Sequence, residues 1–454
     1  MKHERHYGLF TAITMILGIV IGSGIFFKAD DILYLSNGNI LKGISIFVIA
    51  ALSIVFGCLS LSTLAARFDI KGGIVSYFEE CISPATASGY GWYQVFIYYP
   101  SINAIVSWVV ILYADQFFGW NLSFDMQIIC TALLILFLFA SNFFSLRFGG
   151  AVQNLTATVK LIPLLIIAAA GLYHLLSGQS ISGLAQTSGE SAVGRGVFFL
   201  GALAPVAYAY DGWQISLAIS TEIENPKRNV PRALVIAPLT VLIVYILYFV
   251  GIIGLIGPDQ LLALGNNAPA AAAEKLFGNF GSRLIQLLII VSVYGVVNGI
   301  TLGFIRMPEA MALKYMLPGH GRMDQLHEKY RLSGLSCLFA LALSLLWLFF
   351  HFLAVKLELL KNSDISEVAI CFGLFSLIVL YFRVLRMYLK GEINSRFRGL
   401  IAPLLAILGS LSTLFGSFLL NAIYTLIFTI FCLVLCSLGY FYYHSQGKKR
   451  ALIK

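Results

Sequence analysis

The sequence predicts an all-α, polytopic membrane protein of about twelve helices, and three observations predict it. Hydrophobic residues make up 59% of the 454-residue chain and charged residues only 11%, whereas a soluble domain carries about a quarter charged residues. Apolar stretches of about 20 residues, long enough to cross a roughly 30 Å hydrocarbon core, recur along the whole length. The basic residues divide unequally between alternate loops: of 30 Lys and Arg, 21 fall on one side and 7 on the other. Lys160 and Arg306 lie in or at the end of spans. This asymmetry places both termini in the cytoplasm, with an even number of spans crossing the cell membrane.

The elements follow in order. Span one, at 9–34, comes after a short basic stretch (Lys2, Arg5); no small-residue cleavage site follows, so it is expected to stay as an uncleaved helix. Spans two to five are expected at 40–65, 87–114, 126–145 and 151–175, with Pro100 inside the third and Lys160 inside the fifth. Span six, at 196–220, holds Pro205 and Gly212, and a charged loop with Pro226 and Pro231 leads to span seven at 233–257. The remaining runs are 282–313, 334–353, 365–386, 399–421 and 423–443. The net charge of +9 resides in the short loops, so it indicates topology and contact with membrane lipid rather than nucleic-acid binding. The seven cysteines are scattered, mostly inside apolar runs, with neither metal-ligand spacing nor a disulfide framework. No hydrolytic triad, phosphate-binding loop or metal cluster appears, so no enzyme, cofactor or metal is expected, and pumping would have to draw on gradients or exchange.

Two spans are interrupted. Span one reads Gly18-Ile19-Val20-Ile21-Gly22-Ser23-Gly24-Ile25-Phe26, a poor helix interior because each glycine costs about 1 kcal/mol relative to alanine. Close packing of small residues is the alternative explanation of that run. Span six carries Pro205, Asp211 and Gly212 within Ala204–Trp213, and an acid near the membrane midplane usually faces a cavity or a partner. The breaks fall in spans one and six, the first helices of two consecutive sets of five. Gly/Pro interruptions at matching places in two halves point to a substrate site between inverted repeats. An unwound helix there offers N–H groups at the positive end of a half-helix, suited to a carboxylate, and free carbonyls suited to an ammonium. A free α-amino acid carries both groups.

The same residues carry a family resemblance. The Gly18–Phe26 run resembles the first-helix signature of the amino acid–polyamine–organocation (APC) superfamily. Ala209-Tyr210-Asp211-Gly212-Trp213 is similar to the sixth-helix motif of its L-amino acid transporter branch, which includes bacterial serine/threonine-type exchangers. Glu222 to Ala233 resembles the superfamily's loop pattern E-x-x-N-P-x-R-x-x-P-R-A. Weaker matches are Gly72-Gly73, Lys160-Leu161-Ile162-Pro163, and Asn298-Gly299 with Arg306; the resemblance covers residues 8–320.

That resemblance implies a single LeuT-like transporter domain over 1–454, in which 8–175 (helices 1–5) and 196–386 (helices 6–10) form inverted repeats and 399–443 adds helices 11 and 12. It implies a substrate site of Val20, Gly22, Ser23, Gly24, Tyr208, Ala209 and Asp211. The amides of Ser23 and Gly24 with the Ser23 hydroxyl would hold the carboxylate, and carbonyls of Val20, Tyr208 and Asp211 the amine. Tyr208 takes the place of a gating aromatic. Asp211 stands where some relatives have glycine, and its acid would cap helix ends or contact a polar substrate. Lys160 lies where its ammonium would replace a coupling sodium, unless it is a structural lysine paired with an acid; a proton-linked role is open. Glu222 and Arg228 would belong to an inner-gate loop, unless the loop's basic residues serve topology alone.

The chain departs from the family at Gly72-Gly73-Ile74-Val75 and at Ala312-Leu313-Lys314-Tyr315-Met316-Leu317-Pro318, which bears on gating and coupling rather than on fold. Tyr98, Tyr99, Pro100, Ser101 and Asn103 either line the side-chain pocket or only pack and kink span three. The loop Asp115–Asp125 has no cysteine, so no disulfide-linked heavy subunit is expected, and the chain is read as acting alone, as a monomer. The expected function is sodium-independent exchange of neutral amino acids. The alternatives are proton-coupled symport and an amino acid sensor of the same fold.

Overall fold

The computed structural model describes residues 8–68, 73–144, 156, 159–177, 200–214, 223–327, 330, 332–360 and 364–447. The first span is two helices, α1 (Leu9–Val20) and α2 (Ser23–Leu35), followed by α3 (Ile40–Arg67). A short α4 (Ile74–Cys81) precedes α5 (Pro84–Tyr93), which runs through a π-helical turn, Gln94–Tyr98, into α6 (Tyr99–Phe118). Then come α7 (Phe124–Phe144), α8 (Leu161–Leu176), the short α9 (Leu203–Ala209) and α10 (Pro226–Ile256). After α11 (Pro258–Leu264), α12 (Ala268–Leu313) breaks at Gly278, where φ is 65°. The chain finishes with α13 (Gly334–Lys356), α14 (Ile365–Ser376), α15 (Ile378–Leu389), α16 (Ala402–Leu420) and α17 (Ala422–Ser445).

Among the described residues, nine helical stretches are long and apolar enough to cross a membrane, and shorter apolar helices lie at Leu9–Gly18 and Leu161–Leu176. The protein is therefore an all-α, multi-pass membrane protein. Its outer helices expose apolar rather than charged side chains: on α17, Ile423, Ile427, Ile430, Val434 and Phe441 all face outward. In lipid this apolar face is the solvated one, and helix–helix contact relies on close packing instead. Thus α8 meets α10 where Gly171 lies against the backbone of Gly251, with no room for a Cβ on either.

Three sequence expectations change. The segment from Pro226 is not a loop: α10 starts there, with Pro226 in its first turn and Pro231 and Pro238 inside it. A first-turn proline gives up an N–H that has no intrahelical partner anyway. In span six, the helix is interrupted at Ala202, three residues before Pro205, which has no N–H to donate to Gly201 O, and the chain turns again after Tyr210, at Gly212, where φ is 98°. Span ten is two helices joined at Leu377.

Candidate functional site

The first break is narrow. Ile21 N–H still donates to Leu17 O (2.8 Å), and Gly22, in an extended conformation, separates α1 from α2. Both flanking glycines are required by proximity. A Cβ on Gly22 would run into the Val296 side chain of α12, and one on Gly24 would run into the Ala209 backbone at the end of α9. The first-turn N–H groups of α2, from Ser23 onward, have no carbonyl one turn back and lie at the positive end of the helix. The Ser23 side chain lies outside the described residues.

At the second break, Asp211 N–H donates to Tyr208 O (3.1 Å). The Asp211 carboxylate accepts from the Tyr98 hydroxyl at Oδ2 (2.8 Å), while Oδ1 is buried without a hydrogen-bond partner among the described residues. Tyr98 is delivered by the π-helical turn between α5 and α6, which sets Tyr98 and Tyr99 side by side on the cavity wall. Extra turns of this kind re-aim side chains and recur at functional sites.

The two breaks share one cavity of about 200 Å³. Val20, Gly22, Gly24, Tyr208 and Asp211 line it, with Ile102 and Val106 of α6, Val296 and Ile300 of α12, and Ile370 of α14. Ala209 stands behind the wall, packed on Gly24. Of the span-three residues, Tyr98 and Tyr99 reach the cavity, whereas Asn103 donates to the Thr301 hydroxyl (2.7 Å) and Ser101 to Tyr98 O (3.1 Å).

A residue that the sequence reading missed ties the breaks together. The Tyr245 hydroxyl of α10 lies 2.8 Å from Ala209 O and 3.3 Å from Val20 O, bridging the ends of α9 and α1. Lys160 is fully buried just before α8 and donates to Gly18 O (2.5 Å) in the last turn of α1. It therefore neutralises the carbonyl end of α1, and no acid pairs with it among the described residues.

Beside the cavity, the Tyr208 ring lies 5.5 Å from the Lys28 ammonium. Lys28 of α2 is 3% exposed and sits among Glu367 (2.6 Å), Asp364 (3.1 Å) and Asp31 (3.4 Å). These contacts link α2 to the start of α14. Asp364 also caps α14, accepting from the N–H groups of Ser366 (2.9 Å) and Glu367 (3.2 Å). Glu222 lies outside the described residues. Arg228 is exposed on α10 and borders a separate cleft rather than the cavity.

An amino acid permease family model matches residues 7–446. The serine/threonine exchanger SteT of Bacillus subtilis (strain 168) is 31% identical over 423 residues, 92% of each chain. The human cystine/glutamate transporter is 28% identical over 301 residues, 65% of this chain and 58% of that one. The mouse b(0,+)-type amino acid transporter 1 is 27% identical over 304 residues, 65% of this chain and 60% of that one.

Proposed function

The chain belongs to the amino acid permease family, and from that premise we propose that it is a sodium-independent exchanger of small neutral amino acids working by alternating access. It is an amino acid transporter, not an enzyme. The observation that carries the finer reading is the single cavity between two helix breaks, with the free N–H end of α2 on one wall and the unpartnered Asp211 Oδ1 on another. The substrate carboxylate lies on the N–H groups of Ser23 and Gly24. Its ammonium reaches Asp211 Oδ1 and the carbonyl of Val20, and Tyr208 closes over it.

A volume of about 200 Å³, below the roughly 300–1,000 Å³ of drug-sized sites, favours a short side chain. The similarity to a serine/threonine exchanger over 92% of the chain supports the same class. Lys160 supplies a fixed positive charge at the end of α1, which removes the need for a sodium ion there. The repeats 8–175 and 196–386, followed by 399–443, are the units that rock against each other, with Lys28 and its carboxylates closing one side. Both termini are assigned to the cytoplasm of the cell membrane, and the gathering of Arg67, Arg228, Arg232 and Arg398 around one cleft supports that sidedness. The inner-gate role of Glu222 and Arg228 stays part of this reading, as does action as a monomer without a heavy subunit.

Uptake of labelled serine and alanine into proteoliposomes, empty or preloaded with unlabelled amino acid, in sodium-free buffer, tests the proposal. Uptake into preloaded vesicles alone establishes exchange. Uptake into empty vesicles that requires an inward proton gradient would replace exchange with symport and make Asp211 the proton-site candidate. Binding without uptake would favour a sensor.

A further inference from the structure

Away from the substrate cavity, a cleft of about 770 Å³ is floored by the last two turns of α3, the first turns of α10 and the segment leading into α16. Four arginines border it: Arg67, Arg228, Arg232 and Arg398. Among the described residues they have one ion-pair partner, Glu392, which lies 3.2 Å from Arg67; Arg228, Arg232 and Arg398 have no carboxylate within ion-pair distance. Three guanidiniums that have no carboxylate partner among the described residues border one concavity from two separate segments and make it an anion site, and the planar, five-donor guanidinium fork matches the geometry of a phosphate group.

The surroundings identify where that phosphate comes from. Arg67 ends α3 and Arg228 lies in the first turn of α10, so the charges sit at the ends of spans, at headgroup depth. From the cleft toward the membrane centre, α10 exposes Ile236, Leu239 and Ile243, and α16 exposes Leu404 and Leu408. The polar end of the cleft thus opens onto two apolar stripes, an arrangement that fits a headgroup with its acyl chains. Basic pockets between membrane helices on the cytoplasmic side are a recognised lipid-binding chemistry.

We propose that this cleft binds the phosphate group of an anionic phospholipid, with the acyl chains lying along α10 and α16. Phosphatidylcholine is disfavoured, because its trimethylammonium would have to share the cleft with the four arginines. The bound lipid joins the start of α10 to the segment before α16, the two walls of the cleft. This site shares no residue with the substrate cavity, although its Arg228 also belongs to the proposed inner gate.

The test uses the full chain purified in detergent, with lipid retention followed by native mass spectrometry and thermal unfolding. The probes are phosphatidylglycerol, phosphatidylcholine and inorganic phosphate; the variants are Arg228→Gln, Arg398→Gln and both together, with Lys42→Gln as a basic-residue control elsewhere. Phosphatidylglycerol should be retained and should raise the unfolding temperature, and phosphatidylcholine should do neither. Each arginine removed should weaken phosphatidylglycerol binding about fivefold, and Lys42→Gln should leave it unchanged. Displacement of the lipid by inorganic phosphate would support recognition through the phosphate. Inorganic phosphate binding as tightly as phosphatidylglycerol would overturn the lipid as the source. Equal retention of both lipids, or of phosphatidylglycerol by wild type and double variant, would overturn the site itself.

Discussion

Asp211→Asn isolates the charge in the substrate site with the least disturbance of shape. In the structure one carboxylate oxygen accepts from the Tyr98 hydroxyl at 2.8 Å and the other is buried and unpartnered. Asparagine keeps an oxygen for Tyr98 but replaces the free acceptor with an NH₂ donor, which cannot receive an ammonium. A hydrogen bond to a charged group contributes about 1.5–3 kcal/mol, equivalent to about tenfold to 150-fold in affinity. The KM for exchange should therefore rise by that factor, and direct binding of labelled substrate should weaken in parallel. Folding should not suffer, since the change removes a buried charge that lacks a counter-ion; the unfolding temperature should stay level or rise. A stable variant whose KM lies within about twofold of wild type, well short of the loss estimated for a charged hydrogen bond, would refute the reasoning. It would mean that backbone carbonyls alone hold the amine.

Three further outcomes are expected. Gly24→Ala drives a methyl into the Ala209 backbone, where no flexible side chain can yield, so exchange should be lost and the unfolding temperature should fall by the equivalent of at least the roughly 1–3 kcal/mol of core overpacking. Lys160→Met removes the ammonium from Gly18 O; exchange should drop about tenfold or more, by the loss of a charged hydrogen bond of about 1.5–3 kcal/mol, while wild-type activity should be identical in sodium and potassium buffers. Lys28→Met leaves Glu367, Asp364 and Asp31 without their shared cation and should destabilise the fold by about 3–5 kcal/mol, read by thermal unfolding. Adding Glu367→Gln and Asp364→Asn to Lys28→Met should recover most of that loss.

The sequence exposed those parts of the site that break a local rule. Glycines at 22 and 24, an acid at 211 and a lysine at 160 are each anomalous inside an apolar run, and each lies at or against the cavity or the broken end of α1. Tyr245 was invisible because a tyrosine in an apolar helix carries no signal until its hydroxyl is seen between two carbonyls. The Lys28 cluster carries no sequence signal, because its carboxylate partners Asp364 and Glu367 lie more than 330 residues away in the chain. Pro226 shows a different limit. It is a strong breaker by type, yet it occupies a first helical turn where no hydrogen bond is lost. Residue type signalled a boundary there without saying which side of it the proline occupies.

The Tyr245 bridge also bears on how the two breaks are held together and on how the proposed pose selects an amine. A hydroxyl has one proton to donate, so it cannot fully satisfy both Ala209 O and Val20 O. The 2.8 Å contact to Ala209 O is the committed bond, and the 3.3 Å contact to Val20 O is the weaker one. Val20, which lines the cavity, therefore keeps a carbonyl that is only partly satisfied, an acceptor that the proposed pose assigns to the substrate. In the proposed pose an ammonium, with three donors, meets Val20 O and Asp211 Oδ1 together. A substrate analogue lacking the amine would leave both acceptors buried and unpaired, at about 1–3 kcal/mol each and more for the charged one. In the proposed pose, selectivity for the α-amino group follows from acceptors that the fold leaves under-satisfied, and Tyr245→Phe should sharpen it by leaving Val20 O without its weak donor. The expected readout is a larger ratio of serine to hydroxy-acid inhibition in the exchange assay; an unchanged ratio would separate Tyr245 from substrate selection and leave it a purely structural clamp between the two breaks.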